Sequence, residues 1–214
     1  MRSKRRRRAG IVCIAVGVLL LGGAALLVLH NRQEERTAGE LSRQVLEQLE
    51  EQIPEPASSA QTPESSQAPG QEVEVPNYVL DPEREMPEAV VDTRSYIGVL
   101  RIPALGLSLP VISEWSDSNL KVAPCRYSGS AYQGGLVIAG HNYRTHFAGL
   151  TSLETGDQIT FTDMDGNVFL YEVAGIEILQ PTDVEDMISD AWDLTLFTCD
   201  YSGQARVTVR CIAA

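Results

Sequence analysis

An uncharged apolar run of 21 residues, Ala9 to Leu29, is the feature that most constrains this chain, and it directly follows a cluster of basic residues at positions 2–8. About 20 helical residues are needed to cross a bilayer, so the run is long enough for a transmembrane helix. A cleaved signal peptide also begins with basic residues, but its apolar region covers only about 7 to 15 residues and ends at a small-residue cleavage site. The sequence HNRQEER follows Leu29 instead. The run therefore predicts an uncleaved single-pass anchor.

Charge is distributed unevenly about this run and predicts its orientation. Residues 1–36 carry eight Lys or Arg against two acidic residues, whereas residues 37–214 carry nine against twenty-seven. Because basic flanks of a membrane span stay on the cytoplasmic side, we expect a cytoplasmic tail at residues 1–8, a transmembrane helix at 9–29 and an extracytoplasmic remainder. The net charge of -12 argues against a nucleic-acid binder, since binding to phosphates requires a basic surface.

Residues 30–88 are predicted to connect the span to a folded domain. Four apolar residues recur every four positions and predict a juxtamembrane helix with one apolar stripe, made of Leu41, Val45, Leu49 and Ile53. We interpret this helix as a solvated extension of the span, with self-association through the stripe as the alternative. From Pro54 to Pro76, Pro, Ser, Gln and Glu dominate, and such a composition cannot bury enough apolar surface to offset its chain entropy. A disordered spacer is expected there.

Residues 89–214 are long enough for one compact domain. Short segments rich in Val, Ile, Leu and Tyr predict β-strands at 96–102, 107–112, 135–140, 158–162, 168–179, 194–198 and 206–212. The sequence DMDGN at 163–167 predicts a hairpin turn, because Asp and Gly tolerate the positive φ that such turns require. Seven or eight short strands at this spacing indicate an all-β domain, either an antiparallel barrel or a sandwich.

The cysteines suggest thiol chemistry in this domain. Cys13 lies in the predicted span, so Cys125, Cys199 and Cys211 remain outside, and an odd number indicates a free reactive thiol or intermolecular pairing. Cys199 ends the strand LTLFT just before the turn DYSG, where a thiol can reach solvent. The alternative for a lone cysteine is a small buried apolar residue, and we expect that role, rather than a disulfide, for Cys125 and Cys211.

A thiol nucleophile needs a proton acceptor or cationic partner and a donor for the oxyanion. His141 directly follows the apolar strand LVIAG, whereas His146 lies in the polar loop NYRTHF. Arg206 begins the strand after the turn that follows Cys199, so hairpin pairing would bring it beside the cysteine. Arg206 and Arg210 point to the same face of that strand, so alternation by itself does not choose between them.

TLFTC at 195–199, AGH at 139–141 and Arg206 together resemble the sortase family of Gram-positive cell-surface transpeptidases, as does IGVLRIPALGLSLPV at 97–111. The resemblance covers roughly residues 95–212. It implies an eight-stranded β-barrel with short helices, preceded by one membrane helix, that recognises a carboxyl-terminal sorting signal of the LPxTG kind. No metal or organic cofactor is implied. The implied partners are surface proteins bearing that signal and, as acceptor, an amine of a peptidoglycan precursor or of a pilin.

The resemblance also implies a role for each candidate residue. Cys199 would attack the Thr-Gly-type bond and form a thioester, and His141 would protonate the leaving amine and later deprotonate the incoming one. Arg206 would bind substrate and stabilise the oxyanion. Thr198 supports the oxyanion site through its hydroxyl or simply continues the strand. The subclass stays open. GHN at 140–142 and CDYS at 199–202 are similar to class B sortases, whereas the short segment 180–193 lacks the helical insertion of that class. The chain therefore combines class B-like and class D-like features.

Two other functions are alternatives to a sortase, a membrane-anchored binding module and an L,D-transpeptidase. A membrane-anchored adhesin or wall-binding module would hold the same residues without thiol chemistry. An L,D-transpeptidase would share the order of His141 before Cys199, but TLFTC lacks its His-Gly-Cys-type signature. As for metals, Asp163, Asp165, Glu185 and Asp186 lack the ligand spacing of an EF-hand, so we expect a solvated acidic face rather than a calcium site.

Overall fold

The computed structural model describes residues 2–54 and 75–214. Two compact units divide the chain, Met1–Thr37 and Ala38–Ala214. Helix α1 (Arg2–Glu50) covers almost all of the first unit and continues into the second. Its apolar part is long enough to cross a membrane by length and composition, with a mean hydropathy of 2.1. Most of the predicted disordered spacer falls on residues 55–74, outside the described residues.

In the described part of the second unit, nine strands and three further short α-helices follow the end of α1, together with 3-10 turns at 103–105 and 150–152. The helices are α2 (Asn77–Leu80), α3 (Asp117–Leu120) and α4 (Val184–Met187). The strands are β1 (Ala89–Val91), β2 (Arg94–Ile102), β3 (Leu107–Ile112), β4 (Cys125–Ser130), β5 (Gly134–Ala139), β6 (Gln158–Asp163), β7 (Val168–Leu179), β8 (Leu194–Cys199) and β9 (Arg206–Ala213). They form one sheet in the order β1-β2-β3-β4-β5-β8-β9-β7-β6.

Pairing between β2 and β6 closes this sheet into a barrel. Strands β2 to β9 form the closed ring, and β1 is added to β2 as an outer strand. The expectation of an eight-stranded barrel with short helices is therefore confirmed. Closure removes the unpaired sheet edges that an open sheet of this length would expose. The barrel encloses the main core, in which Ile97, Leu100, Leu136, Ile159 and Val209 are all fully buried.

Strand β4 was not predicted from the sequence. Its residues CRYSGS are mostly polar or small and have low β-propensity, and its pairing with β5 contains two register shifts. Gly129 has a φ of 75°, and a Cβ there would lie 1.9 Å from the Gly135 carbonyl oxygen. Only glycine tolerates both the positive φ and this close approach. The strand therefore exists through its neighbours, because its own composition does not favour one.

The end of α1 packs on the outside of the barrel. Ala38, Ser42, Val45 and Leu49 form its buried stripe. Val45 and Leu49 join a second core cluster with barrel residues that include Tyr96 and Ile112. Glu50 also accepts a 2.6 Å hydrogen bond from Arg101. The interpretation of residues 40–53 as a solvated extension is wrong, because their apolar stripe finds a complementary apolar face in the same chain.

The hairpin turn at 163–167 is confirmed, with Gly166 at a φ of 83°. Asp163 is fully buried there, which contradicts its assignment to a solvated acidic face. Its carboxylate accepts hydrogen bonds from the Tyr132 hydroxyl at 2.7 Å and from the Asn167 backbone and side chain at 2.9 and 2.8 Å. These bonds offset the cost of burying the charge. The carboxylate is therefore a structural element of the turn.

Candidate active site

Two parallel strands bring His141 and Cys199 to the same edge of the barrel. Strands β5 and β8 pair in parallel, with Ala139 opposite Phe197. His141 and Cys199 each lie two residues beyond that pair, and the Gly140 amide extends the ladder by donating to the Phe197 carbonyl at 3.0 Å. Residues 58 positions apart in the chain are thus neighbours because of strand register.

Arg206 reaches the same edge through the hairpin of β8 and β9. It is the direct register partner of Cys199. The connecting turn is organised by Asp200, whose carboxylate accepts from the Ser202 hydroxyl at 2.6 Å and the Ala205 amide at 3.1 Å. These hydrogen bonds lower the pKa of the Asp200 carboxyl. Sequence analysis missed this role of Asp200, although an Asp followed by Ser-Gly is a recognisable turn signal.

A cavity of about 360 Å³ lies at this edge of the barrel and is lined by all four predicted site residues, His141, Thr198, Cys199 and Arg206. Cys199 is exposed and carries a free thiol. Thr198 is buried, and its hydroxyl has no hydrogen-bond partner within the described part of the chain. A nucleophile, a titratable group and a fixed cation therefore converge on one space, with Thr198 buried beside them.

Aromatic side chains form one wall of this cavity. Trp115 meets Tyr127 edge-on at 6.1 Å between ring centroids, and Tyr127 meets Phe197 at 5.3 Å. Trp115 is half exposed, with 46% of its surface accessible. The structure places Trp115 at the cavity. Such a wall offers apolar contact area to an extended peptide.

The segment after β5 packs against His141 and the preceding Gly140 through Phe147 and Tyr143. The Phe147 ring is fully buried under Gly140, where a Cβ would lie 2.4 Å from a ring carbon. The Phe147 amide donates to the His141 carbonyl at 3.1 Å. Tyr143 stacks on the His141 ring with 4.6 Å between centroids. These contacts restrict the histidine to one position, which favours proton transfer at a fixed site.

The structure separates the two histidines of this segment. His146 is fully buried and does not line the cavity. Burial, followed by the nearby charge of His141, lowers the pKa of His146 to about 4. Its two ring nitrogens are buried. His146 lies in a polar stretch of the sequence, and the fold nevertheless buries it.

The two arginines of β9 are also separated. Arg206 donates to the backbone carbonyls of its own turn, Ala205 at 3.1 Å and Gly203 at 3.4 Å, and it lines the cavity. Arg210 is 3% exposed and forms a 2.6 Å ion pair with Glu177. Alternation along the strand left both residues as candidates, and only the surroundings of each side chain distinguish them.

The other described cysteines are structural. Cys125 and Cys211 are both free and fully buried, and burial raises the pKa of each thiol to about 12. Their expected apolar role is confirmed. Over residues 14–54 and 75–214, no group of three or more His, Cys, Asp or Glu side chains has the arrangement of a metal site.

Comparisons with known proteins match the barrel part of this chain. A family model described as a Sortase domain matches residues 100–214, more than half of the chain. Sortase A of Bacillus anthracis is 32% identical over 123 residues, which covers 54% of this chain and 57% of that protein. The chain thus aligns with little more than half the length of this relative.

Solved structures share the barrel. The sortase C1 of Streptococcus agalactiae and the sortase C of Streptococcus pneumoniae are each 26% identical, with a TM-score of 0.51 over 58% of this chain and 70% of theirs. A sortase D5 transpeptidase of Clostridium perfringens is 22% identical, with a TM-score of 0.50 over 56% of this chain and 79% of its own. This last likeness is one of fold.

Proposed function

The chain belongs to the sortase family, and on that premise we propose that it is a membrane-anchored cysteine transpeptidase. In this proposal it cleaves an LPxTG-like sorting signal of a surface protein and transfers that protein to an amine of a peptidoglycan precursor or of a pilin. The single observation that carries the proposal is the convergence of Cys199, His141 and Arg206 on one cavity.

Acylation uses each of these groups once. The Cys199 thiolate, whose proton is on His141, attacks the carbonyl carbon of the Thr-Gly bond, and the carbonyl electron pair moves to oxygen. Arg206 stabilises that oxyanion, with the Thr198 hydroxyl as a second donor. When the tetrahedral intermediate collapses, the C–N bond breaks and protonated His141 gives its proton to the leaving amine. A thioester on Cys199 remains.

Deacylation reverses these roles with a new amine. The nitrogen of the acceptor amine attacks the thioester carbonyl while neutral His141 takes a proton from that amine, and the Cys199 thiolate leaves. The product contains a new amide bond between the surface protein and the acceptor. Attack by water instead of an amine gives hydrolysis. None of these steps uses a metal or organic cofactor.

The apolar helix supports a location at the cell membrane. We propose that residues 1–8 are cytoplasmic, residues 9–29 span the membrane, residues 30–88 connect, and residues 89–214 are the extracytoplasmic catalytic domain. The basic residues before Ala9 and the acidic excess after residue 36 support this orientation. The packing of Val45 and Leu49 on the barrel extends the folded unit into the connecting segment.

The test is a cleavage assay on the full-length chain in lipid nanodiscs with internally quenched Leu-Pro-Xaa-Thr-Gly peptides and added amines. We expect cleavage, transfer to the amine and a hydroxylamine-sensitive acyl adduct on Cys199 by mass spectrometry. Cys199→Ala should remove all three, whereas Cys211→Val, which replaces a buried thiol, should retain them. Full cleavage by Cys199→Ala would rule out the mechanism, and the absence of any adduct in the unsubstituted chain would favour the adhesin or wall-binding module.

A further inference from the structure

Arg210 lies outside the cavity but is bonded to one of its walls. It is the register partner of Thr195 on β8 and of Gly175 on β7, so it sits on the strand between them. Its side chain is only 4% exposed. A cation buried this deeply is costly unless its hydrogen bonds and charge are matched.

The guanidinium joins three elements of the fold. Toward the barrel, its Nε donates to Glu177 of β7 at 2.6 Å and its Nη1 to the Thr195 hydroxyl of β8 at 2.9 Å. Toward α4, its Nη2 donates to the Asp186 carbonyl at 2.6 Å and its Nη1 to the Met187 carbonyl at 3.3 Å. Two strands and one helix are thereby tied to a single planar group.

The chemistry of arginine explains this position. Its fork of fixed N–H donors reaches acceptors in several directions at once, which a single ammonium group cannot reproduce. The Glu177 carboxylate balances the buried charge, and the two backbone carbonyls fix where the end of α4 lies relative to the strands. The ion pair therefore specifies a geometry as well as contributing to stability.

The tethered helix is part of the cavity. Asp183, Val184 and Met187 line it, and Met187 packs in the same cluster as Ala139 and Phe197. Those two residues lie just before His141 and Cys199 on their strands. The distance from the α4 wall to the catalytic edge thus depends on the bonds that Arg210 makes.

We propose that Arg210 is a positioning residue for the peptide substrate, which acts by holding α4 as a wall of the cavity beside Cys199. This inference rests on the proposed function, since it assigns the wall to binding of the sorting peptide. It predicts that loss of the Arg210 bonds weakens peptide binding and leaves the reactivity of the thiol intact.

The experiment compares Arg210→Met and Arg210→Lys with the unsubstituted full-length chain in nanodiscs, using the Leu-Pro-Xaa-Thr-Gly peptides. We expect Arg210→Met to raise KM at least ten-fold with kcat within about three-fold, and Arg210→Lys to recover part of the loss. Alkylation of Cys199 by iodoacetamide should keep its rate within about two-fold. Hydrogen exchange of the amides at 184–192 should become faster. Arg101→Met is the matched control, because it removes an exposed ion pair with Glu50.

Each result bears on the proposal. An unchanged KM, or equal losses in kcat and in the alkylation rate, would overturn it, as would unchanged exchange at 184–192. If Arg210→Met does not fold, Arg210→Lys carries the same comparison. If the unsubstituted chain cleaves no peptide, the proposed function fails separately, and the exchange measurement still decides whether Arg210 holds α4.

Discussion

Substitution of Leu49 tests whether the juxtamembrane helix is part of the folded domain. Leu49 is fully buried in the cluster that contains Tyr96 and Ile112. Truncation of a buried Leu to Ala costs about 2–5 kcal/mol through lost burial and the cavity left behind. Leu49 is the residue before the end of α1, where the chain can partly close the gap, so we expect about 2–3 kcal/mol.

The assay is unfolding of the full-length chain in nanodiscs, followed by the fluorescence of Trp115 and Trp192. For a domain of this size, a loss of about 2–3 kcal/mol lowers the midpoint temperature by roughly 4–12 °C. Ala is as good a helix former as Leu, so the loss would come from packing rather than from helix propensity.

Leu41→Ala is the matched control, since Leu41 lies on the same helix and is 39% exposed. Its effect should stay within about 0.5 kcal/mol. Equal effects of the two substitutions would refute the packing of this helix on the barrel. For the same reason, a protein that begins at residue 89 should be less stable than one that begins at residue 38, because it leaves the outer face of the barrel uncovered.

Three further outcomes are expected. Arg206→Ala should lower kcat/KM for the peptide at least 100-fold without changing the midpoint temperature of unfolding. An inactive Arg210→Ala beside an active Arg206→Ala would show that the oxyanion role belongs to Arg210. Gly140→Ala should lower the free energy of unfolding by about 1–3 kcal/mol and slow cleavage, because the added Cβ overlaps the Phe147 ring. Gly175→Ala is the control, since the space around its Cβ is open. A Gly140→Ala protein with unchanged stability and cleavage would contradict this packing. The pKa of His146 is lowered to about 4 in the fold, so the unfolded chain binds the proton first as pH falls below about 6.5, and the free energy of unfolding should decrease by about 2 kcal/mol between pH 7 and pH 5. Chemical unfolding of His146→Gln should lack this decrease. An equal dependence on pH in both proteins would contradict the prediction.

Several elements were predictable because their signals are local. The strand predicted at 168–179 coincides with β7, since its β-branched and aromatic residues favour extended structure along its whole length. The turn at 163–167 follows from Asp and Gly, whose backbone preferences act within a few residues. The position of Cys199 at a strand end was likewise legible, because it depends only on where an apolar run stops.

Other features depended on residues far apart in the chain. Strand β4 has no strand-like composition and is defined by its pairing with β5. The apolar stripe of α1 was visible in the sequence, but its partner on the barrel was not, because a periodic pattern shows that a face is buried without showing against what.

The amino-acid sequence by itself determined the apolar character of the amino-terminal segment, the all-β character of the following domain and the chemical candidates Cys199, His141 and Arg206. Those properties follow from composition and short-range spacing. The tertiary structure alone decided that β5 and β8 bring His141 and Cys199 to one edge, that Arg210 is bonded to α4 and that the end of α1 belongs to the folded unit. Each depends on long-range register and burial, which arise only when distant segments pack together.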